Sequence, residues 1–409
     1  MKVKKVLLLL FAVLLILSAC EKENHLSDYW NLDGSCMLNG TFYQSAGNQI
    51  LVWNSRWDGI RNGLCHDPLC NHDDINNLCP DNNWLWQKAI VTDGEKLYLS
   101  VLNAALTGAD NTLYRQIYAL SPDGTDLQLL CTYDASGGTS PVLRYSDGYL
   151  YFWQGFYREP DDFGNSEDQY KIVMRLPVQG KKAEIVLDEE MPMHSTFCID
   201  KQNYYLFFSD ENGTAQLIVI DQDSGKRETY ASDEFEGIPY TMRIYNGKTY
   251  LLASKPETVS AIRDDGSQAI RNLNCSVLYL YENNSFRKIA DGNFTFTQEG
   301  IWFPESECDY LGTKETAGGP YGETTKQDYF AVTTKRLCKI DPTDYGITAY
   351  MTAGEFGYGD EIELVSGTAG KLYANISNQK SFYEIGDSQY RSCMLRAENG
   401  TVVMEKVYE

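Results

Sequence analysis

The chain has 409 residues and a formal net charge of −22, from 57 acidic and 35 basic residues. A surface this acidic repels phosphate backbones, which argues against nucleic acid as a partner. The hydrophobic content of 43% is enough for a packed core, and the 29 tyrosines favour strands over helices.

A secretory signal is predicted at the N-terminus. Three lysines lie within the first five residues, residues 6–17 form an apolar run, and the small residues Ser18 and Ala19 precede Cys20. The run is shorter than the roughly 20 apolar residues of a membrane-spanning helix. The segment Leu17-Ser18-Ala19-Cys20 resembles a bacterial lipobox, and this resemblance implies cleavage before Cys20 and a diacylglycerol group on its sulfur.

These features predict a chain in three parts. We expect a lipoprotein signal peptide over residues 1–19, a lipidated tether over 20–28 and a single domain over 29–409. Such a protein lies extracytoplasmically, anchored to the outer face of the cell membrane by its N-terminal lipid. The alternatives are an ordinary secreted protein and an uncleaved anchor.

Short repeats predict the fold. A turn pair followed by an aromatic-rich strand recurs, with copies beginning at Asn39-Gly40, Asp93-Gly94, Asp147-Gly148, Asp200-Lys201, Asn246-Gly247, Glu299-Gly300 and Ala369-Gly370. Turn pairs of this kind between apolar strands indicate β-hairpins. A second hairpin follows most copies, as at Ile117–Leu120 with its Ser-Pro-Asp-Gly turn. Four short strands per unit of about 40 to 50 residues are typical of a propeller blade. We expect an all-β propeller with seven four-stranded blades, with six or eight as alternatives.

Two segments carry a resemblance to known proteins. The segment over residues 117–125, Ile-Tyr-Ala-Leu-Ser-Pro-Asp-Gly-Thr, resembles uncharacterised β-propeller repeats in surface lipoproteins of Gram-positive anaerobes. Residues 65–72, Cys-His-Asp-Pro-Leu-Cys-Asn-His, are similar to a Cys-rich motif of related lipoproteins. The resemblance implies a propeller at the cell surface, and it implies no activity.

A cluster of cysteines and histidines is predicted to form a site. Cys65, Cys70, His72 and Cys79 lie within 15 residues and offer three thiolates and an imidazole, a suitable donor set for tetrahedral Zn²⁺. An oxidising compartment instead favours disulfides, and free thiols are a third alternative. If zinc binds, four protein ligands indicate a structural role.

The long segments between hairpins are expected to share one face of the propeller. They are predicted to be irregular loops, and they carry aromatic and acidic side chains that suit sugar or peptide recognition. These segments are residues 65–86, 102–115, 154–170, 254–275 and 304–328. The candidate ligand face consists of Trp84, Trp86, Phe156, Tyr157, Asp161, Asp162, Tyr310 and Tyr321. The alternative is that these rings pack the loops against the blades.

No catalytic constellation stands out in the sequence. The sialidase Asp-box, the Gly-x-Ser-x-Gly motif and a phosphate-binding glycine loop do not occur. We therefore expect a binding or scaffolding module for a glycan, a peptide or another envelope protein. A surface carbohydrate-active enzyme (a glycosidase or lyase) with two positioned carboxylates, and a sensor subunit of a membrane protein, are the alternatives.

Overall fold

The computed structural model describes most of the predicted domain. The described residues are 29–32, 35–46, 49–54, 61–65, 67, 69–74, 79–107, 113–134, 142–157, 169–180, 182–192, 195–210, 213–232, 235–273, 275–297, 300–318, 323–368, 371–385 and 389–408. The predicted signal peptide and tether, with Cys20, lie outside this set, and so do Asp161, Asp162 and Tyr321. Among the described residues, no helix is long and apolar enough to cross a membrane.

Five antiparallel sheets follow one another along the chain, and we call them blades one to five. Blade one contains β1 (Tyr29–Leu32), β2 (Ser35–Leu38), β3 (Thr41–Ala46), β4 (Gln49–Asn54) and β5 (Arg61–Asn62). Blade two contains β6 (Leu85–Thr92), β7 (Leu97–Thr107), β8 (Leu113–Leu120) and β9 (Gln128–Asp134). Blade three contains β10 (Leu143–Ser146), β11 (Tyr149–Tyr157), β12 (Gln169–Pro177) and β13 (Glu184–Pro192). Blade four contains β14 (Thr196–Ile199), β15 (Asn203–Ser209), β16 (Ala215–Asp221) and β17 (Arg227–Ser232).

Blade five carries an insertion. Its chain order is β18 (Ile238–Tyr245), β19 (Lys248–Ser254), an inserted hairpin of β20 (Glu257–Ile262) and β21 (Gln268–Leu273), then β22 (Ser276–Glu282) and β23 (Ser285–Gly292). Strands β19 and β22 pair directly, so the hairpin projects from the blade as a separate two-stranded sheet.

The remaining strands form one eight-stranded sheet. They are β24 (Thr295–Thr297), β25 (Gly300–Gly318), β26 (Glu323–Ile340), β27 (Ile347–Thr352), β28 (Asp360–Thr368), β29 (Lys371–Asn378), β30 (Gln389–Glu398) and β31 (Thr401–Tyr408), with helix α1 (Gln379–Ile385) before β30. The last strands of two antiparallel runs, β27 and β31, pair in parallel through Met351 with Thr401 and Thr352 with Val402. The expected seven separate blades are therefore not observed, because two edge strands satisfy each other's backbone groups.

The repeated turn pairs explain why the sheets form where they do. Asn39-Gly40, Asp147-Gly148 and Asn246-Gly247 each link two paired strands, and both residues of each pair have positive φ. Two consecutive left-handed residues make the turn whose twist matches antiparallel strands. The predicted hairpins at these positions are confirmed.

The prediction of irregular loops is wrong for the segments 254–275 and 304–328. The first contains β20 and β21, and the second forms the outer parts of β25 and β26, which stay paired as far as Gly318 and Glu323. These arms project from the sheets, so they need no continuous apolar face. Their polar sequences therefore lack the alternation by which a half-buried strand is recognised.

The hydrophobic core lies between neighbouring sheets. Separate clusters join blade one to two, two to three, three to four, four to five, and five to the eight-stranded sheet. A further cluster joins Phe42 and Trp53 of blade one to Met394 of the eight-stranded sheet. Trp53 also stacks on Tyr373, with 6.1 Å between ring centroids. Side-chain packing thus brings the first and last sheets together, and the all-β propeller arrangement is confirmed.

Candidate functional site

The four residues of the predicted cluster come together. The sulfur atoms of Cys65, Cys70 and Cys79 and an imidazole nitrogen of His72 all lie within 4.8 Å of one another. Cys79 is buried, the other three are half-buried, and the three cysteines are free thiols. Zn–S bonds of about 2.3 Å in a tetrahedral site place sulfur atoms about 3.8 Å apart. The donor set and its spacing therefore fit a zinc ion after a small contraction.

Local turns place the first ligands. The Asp67 side chain accepts a hydrogen bond from the Leu69 amide (2.9 Å), and the Cys70 amide donates to the Asp67 carbonyl (3.1 Å). Asn71 repeats the pattern by accepting from the Asp73 amide at 3.1 Å. Asp and Asn side chains that accept from the backbone two residues later form tight turns without a regular element. Two such turns in succession bring Cys70 and His72 towards Cys65.

The Asp81 side chain connects the two ends of the segment that carries the cluster, because it binds the backbone at Cys65. It is buried with 4% of its surface exposed, and one carboxylate oxygen accepts a hydrogen bond from the amide of Cys65. A Cβ atom on Gly63 would lie 2.9 Å from the same oxygen, so the carboxylate packs closely on the backbone. A buried carboxylate that fixes the backbone of a ligand is a second-layer contact typical of metal sites. The sequence analysis did not identify Asp81.

A buried lysine lies beside this carboxylate. The ammonium of Lys88, which is 3% exposed, donates to the Pro80 carbonyl at 2.7 Å. Burial lowers the pKa of Lys88 to about 8. Burial also raises the pKa values of the Cys79 and Cys65 thiols. The thiols are therefore protonated without a metal, and a bound cation would displace their protons.

The cluster is also held against blade two. The turn over residues 121–124 lies on Leu64, so close that a Cβ atom on Gly124 would be 2.3 Å from the Leu64 carbonyl oxygen. Gly124 has a φ of +82°, which a side chain rarely adopts. The hydroxyl of Tyr43 in blade one donates to the Pro122 carbonyl at 3.0 Å. One turn of blade two thus contacts both blade one and the residue before Cys65.

The two tryptophans of the predicted ligand face are hydrogen-bonded to the segment that carries the Cys–His cluster. Trp84 and Trp86 are 39% and 43% exposed. Their indole N–H groups donate to the carbonyls of Asp73 (3.0 Å) and Asn83 (2.6 Å). The rings therefore lie beside the cluster with their polar atoms already used.

The other predicted ligand-face residues lie apart from the tryptophans in the chain. The hydroxyl of Tyr310 is 2.7 Å from that of Thr313, and its ring packs on Phe330 with 5.2 Å between centroids, along the arm of β25 and β26. Phe156 and Tyr157 end β11. The eight residues proposed as one ligand face therefore stay a prediction.

A groove that the sequence analysis missed lies on the second half of the chain. Its volume is about 600 Å³, and its walls come from the inserted hairpin, β25, β28 and the segment between β23 and β24. Its charged residues are Glu257, Arg271, Glu361 and Glu363, and Tyr240 and Phe294 contribute aromatic surface. The walls are far apart in sequence, so only the pattern Glu361-Ile362-Glu363-Leu364 could have indicated one of them.

The inserted hairpin is fixed at two points. Arg263 near its tip forms an ion pair with Asp328 of β26, and Arg271 donates to the Phe330 carbonyl at 2.9 Å. On the opposite wall Glu361 is half-buried, and burial together with Glu363 raises its pKa while Arg271 opposes the rise. The groove is thus preformed, and it contains a carboxyl group whose charge is poorly solvated.

Comparison with known proteins finds only distant structural similarity. No protein-family model and no curated protein matches the sequence. The chain is similar in structure to a protein of Bacteroides uniformis provisionally described as a 6-phosphogluconolactonase, with 11% identity, 88% of this chain and 92% of that chain covered, and a TM-score of 0.43. The propeller domain of the Trilobed protease from Pyrococcus furiosus is 10% identical, with 79% of this chain and 99% of that chain covered and a TM-score of 0.35. An α-L-arabinanase mutant of Cellvibrio cellulosa is 12% identical, with 67% of this chain and 94% of that chain covered and a TM-score of 0.29. At these scores the similarity supports no inference about activity.

Proposed function

We propose that this chain is a lipid-anchored, extracytoplasmic propeller that binds a ligand in the groove beside the inserted hairpin. The observation that carries the proposal is the groove itself: it has about 600 Å³ of space, a preformed wall, and both charged and aromatic lining. Ligand sites are concave and combine apolar surface with a few placed polar groups. The signal-like N-terminus supports an extracytoplasmic location.

Binding is tested by filling the groove. Asn293 lines it and is exposed, so Asn293→Trp would occupy the space without removing a core contact. Lys201→Trp is the matched control, because it adds the same indole to an exposed turn of blade four. We expect glycan arrays, peptide arrays or pull-downs from envelope extracts to yield a ligand that the control retains and Asn293→Trp loses. Empty screens, or equal binding by both variants, would contradict the proposal.

The anchor is tested at Cys20. Expressed in a Gram-positive host, the unaltered chain should fractionate with membranes and incorporate radiolabelled fatty acid. Cys20→Ala should appear in the medium without label, because two acyl chains on that cysteine provide the attachment. Membrane retention of the variant would contradict a lipid anchor at Cys20.

We infer that the Cys–His cluster holds a structural zinc ion. Cys65, Cys70, His72 and Cys79 supply four ligands, which leaves no open coordination position for catalysis. Protein purified anaerobically should contain about one zinc per chain by mass spectrometry, and Cys79→Ser should lose it. Cys131→Ser is the control, because Cys131 lies in the core of blades two and three. Absence of zinc together with a blocked thiol pair in alkylation would favour the disulfide.

We also propose that the eight-stranded sheet corresponds to two sequence repeats, which gives seven repeats in all. The runs β24–β27 and β28–β31 each consist of four consecutive strands, and among the described residues the short parallel ladder is the only strand pairing between them. The amides of Met351 and Ala353, which donate across this junction, should exchange hydrogen faster than those within either run. If these amides are protected from exchange as strongly as those within either run, the division of the sheet into two units is contradicted.

A surface glycosidase is the second candidate, and one observation favours it. Glu361 and Glu363 line the groove two residues apart on β28, which places their Cα atoms about 7 Å apart on one side of the strand, a spacing that allows the carboxylate separations of glycosidases. Incubation with a polysaccharide panel, followed by assay of reducing ends, tests the activity. Release by the unaltered chain that Glu361→Gln abolishes would establish it, and no release from any polysaccharide would refute it.

A further inference from the structure

The charges of the groove are unbalanced. Three carboxylates line it, those of Glu257, Glu361 and Glu363, against the single guanidinium of Arg271. Within the part of the chain that the structure describes, none of the three carboxylates forms an ion pair or a side-chain hydrogen bond. Glu361 is half-buried, so water solvates it less well than a surface carboxylate. A positively charged ligand would remove this imbalance.

The three carboxylates of the groove do not meet at one point. Among the described residues, only the Cys–His cluster brings three or more acidic, histidine or cysteine groups within 4.8 Å of one another. The three groove carboxylates therefore do not converge as the ligands of a single metal ion must. Separated negative groups instead match a ligand whose positive groups are themselves separated.

The lining also includes apolar and aromatic side chains, beside polar ones such as Asn272 and Ser306. Tyr240 and Phe294 present ring surface, and Pro304 and Leu364 add aliphatic surface. Methylene stems pack on such surface, and an ammonium group gains further from the face of an aromatic ring. The groove thus offers apolar contact for a stem and carboxylates for charges along it.

We propose that the groove binds a flexible ligand that carries two or more alkylammonium groups along an apolar stem, with Glu361 and Glu363 contacting its positive groups. This inference rests on the proposed binding function and names the ligand chemistry of the same groove. A free polyamine and the lysine side chains of a peptide share this chemistry.

The test compares two probes, spermine and a hexalysine peptide, by titration calorimetry on the purified full chain. The key variant is Glu361→Gln with Glu363→Gln, which keeps the size of both side chains and removes two charges. The control is Glu95→Gln with Asp223→Asn, which removes two charges from exposed turns of blades two and four. The control is needed because a chain of net charge −22 attracts cations over its whole surface. Circular dichroism checks that both variants are folded.

We expect one binding site, a loss of affinity of about tenfold or more in the groove variant, and a change below about threefold in the control. Binding of only one probe would support the inference and identify the source of the alkylammonium groups. Equal losses in both variants, or binding of neither probe, would overturn it. If neither cation binds while an array or pull-down still yields a ligand that Asn293→Trp loses, the inference fails and the binding function stands. If those screens are empty too, both fail.

Discussion

The contact between Leu64 and Gly124 can be tested with a single methyl group. Gly124→Ala adds a Cβ atom that would lie 2.3 Å from the Leu64 carbonyl oxygen and 2.9 Å from its carbon. Gly148→Ala is the matched control: Gly148 occupies a turn of blade three with a φ of +80°, and a Cβ atom there meets nothing within 4 Å. The two glycines have nearly the same φ, and they differ in whether an added Cβ atom would meet a neighbouring atom.

The expected magnitudes follow from this difference. Both substitutions place a side chain in the left-handed region, at a cost of about 1–2 kcal/mol. Gly124→Ala must also move the Leu64 backbone by roughly 1 Å, and overpacking of this kind costs about 1–3 kcal/mol more. We therefore expect a loss of unfolding free energy of about 1–2 kcal/mol for the control and about 2–5 kcal/mol for Gly124→Ala.

Urea unfolding of the two variants and the unaltered chain measures the difference. Because Leu64 precedes Cys65, displacement of its backbone should also weaken the proposed zinc site, so Gly124→Ala should lose zinc to a competing chelator faster than Gly148→Ala. Equal destabilisation and equal zinc loss would refute the view that blade two supports the cluster through this contact.

Three further predictions concern other parts of the propeller. The ion pair with Arg263 holds the pKa of Asp328 at about 2, below its ordinary 3.8, so its stabilisation is present above pH 3.8 and is lost as the pH falls through 2. Carboxyl NMR titration should show this midpoint, and Arg263→Gln should raise it; an unchanged midpoint would contradict the pairing. A cationic ligand should lower the raised pKa of Glu361, so binding just above pH 4.5 should release protons. Calorimetry in buffers of different ionisation enthalpy measures the release, and identical heats would contradict it. Trp53→Ala should cost about 3–5 kcal/mol in urea unfolding, because its buried ring stacks on Tyr373 where the first and last sheets meet; a loss below about 1 kcal/mol would contradict that role.

Local sequence signals were sufficient for most of the sheets. Asn39-Gly40 and Asp147-Gly148 specify a turn by backbone preference alone, so the hairpins around them could be located without knowledge of the fold. The number of separate sheets could not be predicted in the same way. It depends on pairing between the exposed Met351 and the half-buried Thr401, two edge positions that carry no distinctive pattern.

The candidate sites show the same limit. The four cluster residues lie within 15 positions, so their chemistry could be read from the sequence. The contact of Gly124 with Leu64 joins residues 60 positions apart, and the groove is lined by both Glu257 and Glu361, which are about a hundred positions apart. Such sites depend on how separate sheets meet, which hydrophobic periodicity within each strand does not encode.

The way the ring closes has a consequence for the order of folding. Each of blades one to five is built from one continuous stretch of chain, and the first and last sheets meet through side chains such as Trp53 and Tyr373. The backbone pairing within each of blades one to five therefore needs no strand from the C-terminal part of the chain. During synthesis, each sheet can form as soon as its own last strand emerges, which shortens the time that unpaired edges are exposed to aggregation. The packing of Phe42 and Trp53 on the last sheet is completed only after the C-terminal strands have been made.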